Sequence, residues 1–240
     1  MLALTGLDQI TPLVREPVRT YAERVLAYGG DRVRCLALVG MVVGADFEST
    51  SDTIESVLVM QLDGLDALRG LAQEGHRFGR SRIAAPTVLT PEFLAVSRDT
   101  YPLELLEIQQ QHLLISGEDV FAPLVFDSSH LRLQSERQLK VIALAMRQVV
   151  VKLGMHRRAL RAAVLPLLAD FRRVLRGLMW LKGIPCPPRG RDMMARLEEL
   201  IGRKLPGAQR MFESPYAANW ADFEQFYADV NLLDGVIENV

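Results

Sequence analysis

Residues 35–60 read CLALVGMVVGADFESTSDTIESVLVM: a strand, a glycine turn, an acidic loop and a second strand. Residues 35–39 form an apolar run of strand length that Gly40 stops. Met41, Val42 and Val43 are apolar too, and Gly44 allows the backbone a tight turn. Asp46, Glu48, Asp52 and Glu55 then place four carboxylates within ten residues. Residues 57–60 are apolar again and read as the paired strand. Carboxylates that lead into a buried strand opposite a glycine turn suit a metal–phosphate site. Hard cations take several oxygen ligands, and glycine lets backbone N–H groups approach phosphate. A solvated turn between two strands would carry the same residue types.

On the N-terminal side, residues 7–28 carry Ile10, Leu13, Val14, Val18, Tyr21, Val25 and Leu26 at helical spacing. Pro12 and Pro17 predict a short turn followed by a helix, which Gly29 and Gly30 end. On the C-terminal side, residues 62–75 read as a helix with Leu62, Leu65, Leu68 and Leu71 on one stripe. Arg77, Arg80 and Arg82 follow as a basic cluster. They are either solvated surface or a clamp on a phosphate tail, because guanidinium forks match phosphate oxygens. Residues 83–89 predict a third strand, and Thr90 and Pro91 the N-cap and first position of a short helix. Residues 101–108 read as a fourth strand, with glutamates that also permit a helix. His112 reads as a structural hydrogen-bonding residue, and residues 117–119 as a turn.

From Ser128 the periodicity is helical. One helix, capped by Ser128 or Ser129, runs to about residue 153, where Gly154 breaks it. A second covers residues 155–182, with Pro166 as a kink site. Residues 183–190, GIPCPPRG, form a loop that cannot be helical, and helices follow over 193–203 and 220–233. The change of period predicts two domains, 1–126 and 127–240, and no strand longer than three residues beyond residue 130. Arg157, Arg161, Arg172 and Arg176 include i,i+4 pairs, so arginines line a helix face. That face is either solvated or turned to a triphosphate or an acidic partner.

The 240 residues carry a formal net charge of −1 and are 49% hydrophobic. That suffices for sizeable cores and exerts no global pull on nucleic acid or membrane. The charge is uneven: residues 1–126 hold 10 basic and 17 acidic groups, net −7, whereas residues 127–182 hold 12 and 3, net +9. Residues 183–240 hold 6 and 9, net −3. No stacking aromatics interleave with the arginines, so nucleic-acid binding is not expected. Cys35 and Cys186 lie far apart and outside metal-ligand spacing, which makes a reducing cytoplasm the expected compartment. The first residues lack the basic start and apolar core of a signal peptide, and no long uncharged apolar run predicts a membrane span. The composition is compatible with a homo-oligomer.

The spacing of the first stretch resembles the signature of the DNA polymerase beta-like nucleotidyltransferase superfamily. That signature is a Gly-Ser pair followed about ten residues later by Ser-Asp-x-Asp leading into a strand. Gly40 stands eleven positions before Ser51-Asp52. The segments APTVLTPEFLAVSRDTYPLELLEIQQQHLLISGED (residues 85–119) and LRLQSERQLK (131–140) are similar to uncharacterised bacterial nucleotidyltransferase-like proteins. The resemblance implies an α+β fold, a nucleotidyltransferase-like mixed β-sheet domain followed by an all-α helical bundle domain. It implies transfer of a nucleotidyl group from a nucleoside triphosphate to an acceptor hydroxyl, with magnesium held by carboxylates. Carried onto this sequence, it implies Asp52, Glu55 and Glu104 as catalytic and metal-ligating residues. Gly40, Met41 and Gly44, with Arg80 and Arg82, become the nucleotide-binding positions.

The sequence departs from that signature in two places. Met41 stands where a phosphate-holding serine is expected. Aligned on Ser51-Asp52, Ile54 replaces the second metal carboxylate; shifted by one residue, Thr53 and Glu55 form the pair. Side chains alternate along a strand, so Thr53 and Glu55 would share a face that Asp52 does not. For a third carboxylate the later segment offers Glu104 first and Glu107 second. Weak or absent magnesium binding by the free protein is the expectation, because a single carboxylate holds this ion poorly. The alternative function is a catalytically inactive nucleotide-sensing or protein-interaction module on the same fold.

Overall fold

The computed structural model describes residues 3–154, 157–217 and 219–237. The chain divides into two compact units, Met1–Arg98 with Ile108–Val125, and Asp99–Glu107 with Phe126–Val240.

The first unit is built on a four-stranded mixed sheet in the order β3-β2-β1-β4. Strand β1 (Val33–Val39) is central and antiparallel to β2 (Glu55–Met60) and to β4 (His112–Gly117). Strand β3 (Thr87–Leu89) runs parallel to β2 at one edge. Alternation gives the sheet two apolar faces, which is why β1 and β2 read as continuous apolar runs. Leu36, Leu38, Ile54, Leu58 and Met60 pack with Val14, Val18, Tyr21 and Val25 of helix α1 (Pro12–Gly29) and with Phe78 of α2 (Arg69–Arg80). The Tyr21 hydroxyl meets that of Ser56 at 2.6 Å inside this layer. Burial pushes Tyr21 up to about 12 against the opposing effect of that bond. The partners Cys35 and Val59, and Ala37 and Val57, are buried on the other face. Burial pushes the Cys35 thiol up to about 12, as suits a small core residue.

Several boundaries differ from the sequence expectations, each for a local reason. Helix α1 is one continuous helix from Pro12, which sits in its first turn, with Pro17 inside. Pro17 leaves one carbonyl without its intrahelical donor, and the buried stripe from Val14 to Leu26 outweighs that loss. Residues 65–68 form a 3-10 turn after Gly64, so α2 begins at Arg69 and carries Arg77 and Arg80 in its last turn. Ile83 makes an isolated bridge to Ile54, and Pro86, which has no N–H to give, precedes the short β3. Helix α3 (Pro91–Val96) starts as read, with Thr90 Oγ1 accepting the Phe93 N–H at 3.1 Å. Residues 101–108 take the helical alternative, in α4 (Pro102–Gln110). The fourth strand is β4, in the HLLISG segment. Gly117 ends it at φ 90°, where a side chain would overlap the Arg34 carbonyl.

The second unit is helical: α5 (Ser128–Leu153), α6 (Arg157–Leu181), α7 (Gly190–Ile201), α8 (Pro206–Glu213) and α9 (Trp220–Ile237). Among the described residues no strand lies beyond β4. Asp127, rather than either serine, caps α5: its Oδ1 accepts the Ser129 N–H at 2.7 Å. Ile142 and Met146 of α5, Phe171 and Leu175 of α6, and Phe226 and Val230 of α9 share one core. Asp99–Glu107 belongs to this unit rather than to the sheet, unlike the 1–126 and 127–240 division. Leu103 lies against Gly177, where an added Cβ would come within 2.5 Å of Leu103 Cδ2. Among the described residues no helix is long and apolar enough to cross a membrane.

Candidate functional site

Val39, the last residue of β1, pairs with Glu55, the first of β2, so the acidic loop connects two adjacent strand ends. Gly40 begins the connection at φ 71°, a conformation that L side chains avoid. A Cβ on Gly40 would lie 2.5 Å from Glu55 Oε2, so the Glu55 carboxylate sits over the glycine backbone. Residues Gly40–Val43 then form a 3-10 turn, with the Gly44 N–H donating to the Met41 carbonyl at 2.9 Å. Gly44 itself, at φ −85°, uses no glycine freedom; the tight turn expected there is made at Gly40. Gly40→Ala is expected to cost about 1–2 kcal/mol in urea unfolding, from left-handed strain. Gly44→Ala is expected to cost about 0.5 kcal/mol or less, since its backbone suits any residue. Equal losses in the two variants would contradict this account of the turn.

Asp52 is half-buried and shapes the loop. Its Oδ2 accepts the Glu48 N–H at 2.8 Å, while its own N–H donates to the Glu48 carbonyl at 2.9 Å. Ser51 Oγ donates to Glu48 Oε2 at 3.1 Å. Ile54 is 2% exposed and packs in the core on the α1 side. Thr53 is exposed and precedes β2, so it has no strand face to share with Glu55. Glu55 is exposed at the strand end.

Glu104 lies on α4 in the helical unit, so the strand face that would pair it with Glu55 does not arise. Its Oε2 accepts Gln134 Nε2 at 3.0 Å, and its Oε1 lies 3.8 Å from Arg173 Nη1. The same arginine donates to Glu107 at 2.8 Å and to Asp170 at 3.1 Å. Burial alone would lower the Arg173 pKa, but Glu107, Glu104 and Asp170 hold it above its ordinary value. Among the described residues no three acidic, histidine or cysteine side chains are grouped to hold a metal. With Asp52 engaged by its own loop and a core isoleucine beside it, this donor set does not fit a carboxylate-held magnesium ion.

The arginines are largely committed to structure. Arg82 adopts φ 55°, donates from Nη2 to the Ser49 carbonyl at 2.7 Å, and accepts the Ile54 N–H on its own carbonyl at 2.8 Å. It braces the acidic loop from outside. Arg80 is exposed at the end of α2. Arg172 stacks over the Phe212 ring at 5.3 Å, and Arg176 is buried with Nη1 3.5 Å from Cys186 Sγ. Neither forms part of an open solvated face. The side chains of Arg157 and Arg161 lie outside the described residues.

Beside the Gly40 turn a cleft of about 280 Å³ is lined by Gln9, Ile10, Val42, Gly44, Phe47 and His112, among others. His112 is a wall residue with both ring nitrogens occupied, Nδ1 at 2.8 Å from the Ile108 carbonyl and Nε2 at 3.2 Å from Asp119. Burial would raise the Asp119 carboxyl, but the N–H groups of Ala122 and Phe121 and the neighbouring His112 hold it below its ordinary value. The cleft was not legible in the sequence, because it joins residues 9–11 to the turn that follows β1 and to the start of β4.

No protein-family model matches the chain, and no curated protein matches it. Solved structures do match. One is the crystal structure of spectinomycin adenyltransferase AAD(9) from Enterococcus faecialis with ATP and spectinomycin, with a TM-score of 0.56 and 10% identity. The likeness covers 93% of this chain and 98% of that one. At that identity it concerns the fold alone: over nearly the whole of both chains this protein shares the fold of that adenyltransferase.

Proposed function

We propose that the protein binds a nucleoside triphosphate at the Gly40 turn and acts as a nucleotide-sensing or protein-interaction module, with nucleotidyl transfer slow or absent. The observation that carries this reading is Ile54: the position of the second metal carboxylate is a core side chain, 2% exposed. Magnesium binding by the free protein is then weak or absent, because Asp52 and Glu55 supply too few free oxygens for an ion that dehydrates reluctantly. The likeness to an adenyltransferase solved with ATP supports a nucleotide as the ligand. Arg80, exposed at the end of α2, and Arg82, which holds the Ser49 carbonyl of the acidic loop, would face the phosphates.

A second reading, transfer of a nucleotidyl group to an acceptor hydroxyl, is favoured by the exposed Glu55 carboxylate lying over the Gly40 backbone. Calorimetric titration with each nucleoside triphosphate, with and without magnesium, tests the ligand, and pyrophosphate release tests the chemistry. At least one triphosphate is expected to bind, and release is expected near background. Any transfer found should fall to background in Glu55→Gln and persist in Asp46→Asn. Robust magnesium-dependent transfer that survives Glu55→Gln would overturn the site, and failure of every triphosphate to bind would overturn the nucleotide reading.

A further inference from the structure

The β1–β2 ladder slips by one residue at the end far from Gly40. Val33 pairs with Met60 and Cys35 with Val59, so two steps along β1 answer one along β2. Arg34 is the extra residue of this bulge. Bulges re-aim a side chain and cluster beside functional sites. Val33 stays with Met60 in the core on the α1 side, and Arg34 is delivered to the rim of a cleft of about 380 Å³. Pro91, Ala95, Val120 and Leu124 contribute apolar surface to that cleft, above the buried Val59 and Leu94, and Arg98 brings a second guanidinium. No carboxylate lines it. Among the described residues neither Arg34 nor Arg98 makes a side-chain hydrogen bond or ion pair. Yet residues 1–126 hold 17 acidic groups against 10 basic ones, so these two cations are left open where anions are abundant. The Cys35–Val59 pair stands four strand positions from the Val39–Glu55 pair, roughly 13 Å along the strand. The cleft is therefore separate from the Gly40 turn.

We propose that this cleft binds an amphipathic organic anion, a carboxylate or phosphate carried on a small acyl or aryl body. Arg34 and Arg98 take the anionic head, since guanidinium forks match both groups. Pro91, Ala95, Val120 and Leu124 cover the apolar body. The size and the mix of apolar wall with few polar groups are those of a small-molecule site. An inorganic anion would leave the apolar wall wet, and a neutral apolar molecule would leave both guanidinium groups unanswered.

NMR titration of the isotope-labelled full chain tests this with 4-phenylbutyrate and 4-phenylbutyl phosphate. Acetate, inorganic phosphate and 4-phenylbutanol serve as the isolated halves. At least one whole probe is expected to saturate, shifting the amides of residues 34, 59 and 94–98, and to bind at least tenfold more tightly than either of its halves. The tighter of the two probes identifies the head group. Arg34→Gln with Arg98→Gln should weaken binding at least tenfold, Ala95→Trp should block the cleft, and Arg19→Gln should change nothing. Both arginines are exposed, so the double variant is expected to keep the parent's unfolding midpoint. Halves that bind as well as wholes, shifts that map elsewhere, no saturation, or an unweakened double variant would each overturn the proposal.

Discussion

Gly207→Ala is expected to destabilise the helical unit by about 3 kcal/mol. A Cβ at Gly207 would overlap the Phe226 nitrogen and the Gln225 carbonyl carbon of α9. Both are backbone atoms, so no rotamer change relieves the contact and α8 must withdraw from α9. Withdrawal breaks the bond from the Ala208 N–H to Asp229 Oδ2, 2.8 Å in the folded chain. Asp229 is buried, and burial already pushes its carboxyl above the ordinary range despite that bond. Losing the donor leaves a buried carboxylate with less compensation, which adds to the steric cost. Urea unfolding followed by circular dichroism measures the loss. Gly235→Ala, also in α9 but with open space around its Cβ, is expected to raise stability by about 0.5 kcal/mol through helix propensity. A Gly207→Ala protein as stable as its parent would mean that α8 and α9 do not approach as described.

Arg173→Ala is expected to cost about 2–4 kcal/mol at neutral pH. The guanidinium stands within 4 Å of three carboxylates, Glu107, Asp170 and Glu104, and is 23% exposed. Removing it leaves three partly buried negative charges facing one another. That resembles breaking a buried pair more than deleting a surface one, and the remaining exposure keeps the cost below the upper end of that class. The sign of the pH dependence follows. Without the cation the folded variant binds protons more readily than its unfolded chain, so lowering the pH favours folding relative to the parent. The deficit should shrink as the pH falls through about 5 to 4, where carboxylates take up protons. Unfolding midpoints of parent and variant across that range test it. A deficit that does not change with pH would show that Arg173 contributes packing and not charge.

Strands β1 and β2, the end of β1 at Gly40 and the long helices of the second half were legible in the sequence, whereas the tight turn expected at Gly44 is made at Gly40. Each rests on a local pattern: an apolar run closed by glycine, or a stripe repeated at helical spacing. The loop read at 183–190 was legible because its prolines exclude a helix, though its last residue, Gly190, begins α7. Residues 101–117 were not, because two apolar segments there suit either helix or strand. Long-range partners separate them. Leu103 packs on Gly177, and Arg173 holds Glu104 and Glu107. His112 and Leu113 pair instead with Val39 and Leu38 of β1. The same holds at the candidate site. The sequence offered two alignments of the acidic motif, and neither encodes the pairing of Val39 with Glu55 or the burial of Ile54. The bulge that frees Arg34 and the docking of α8 on Asp229 likewise came from tertiary structure alone. Both depend on where a distant backbone lies, and no local propensity encodes that position.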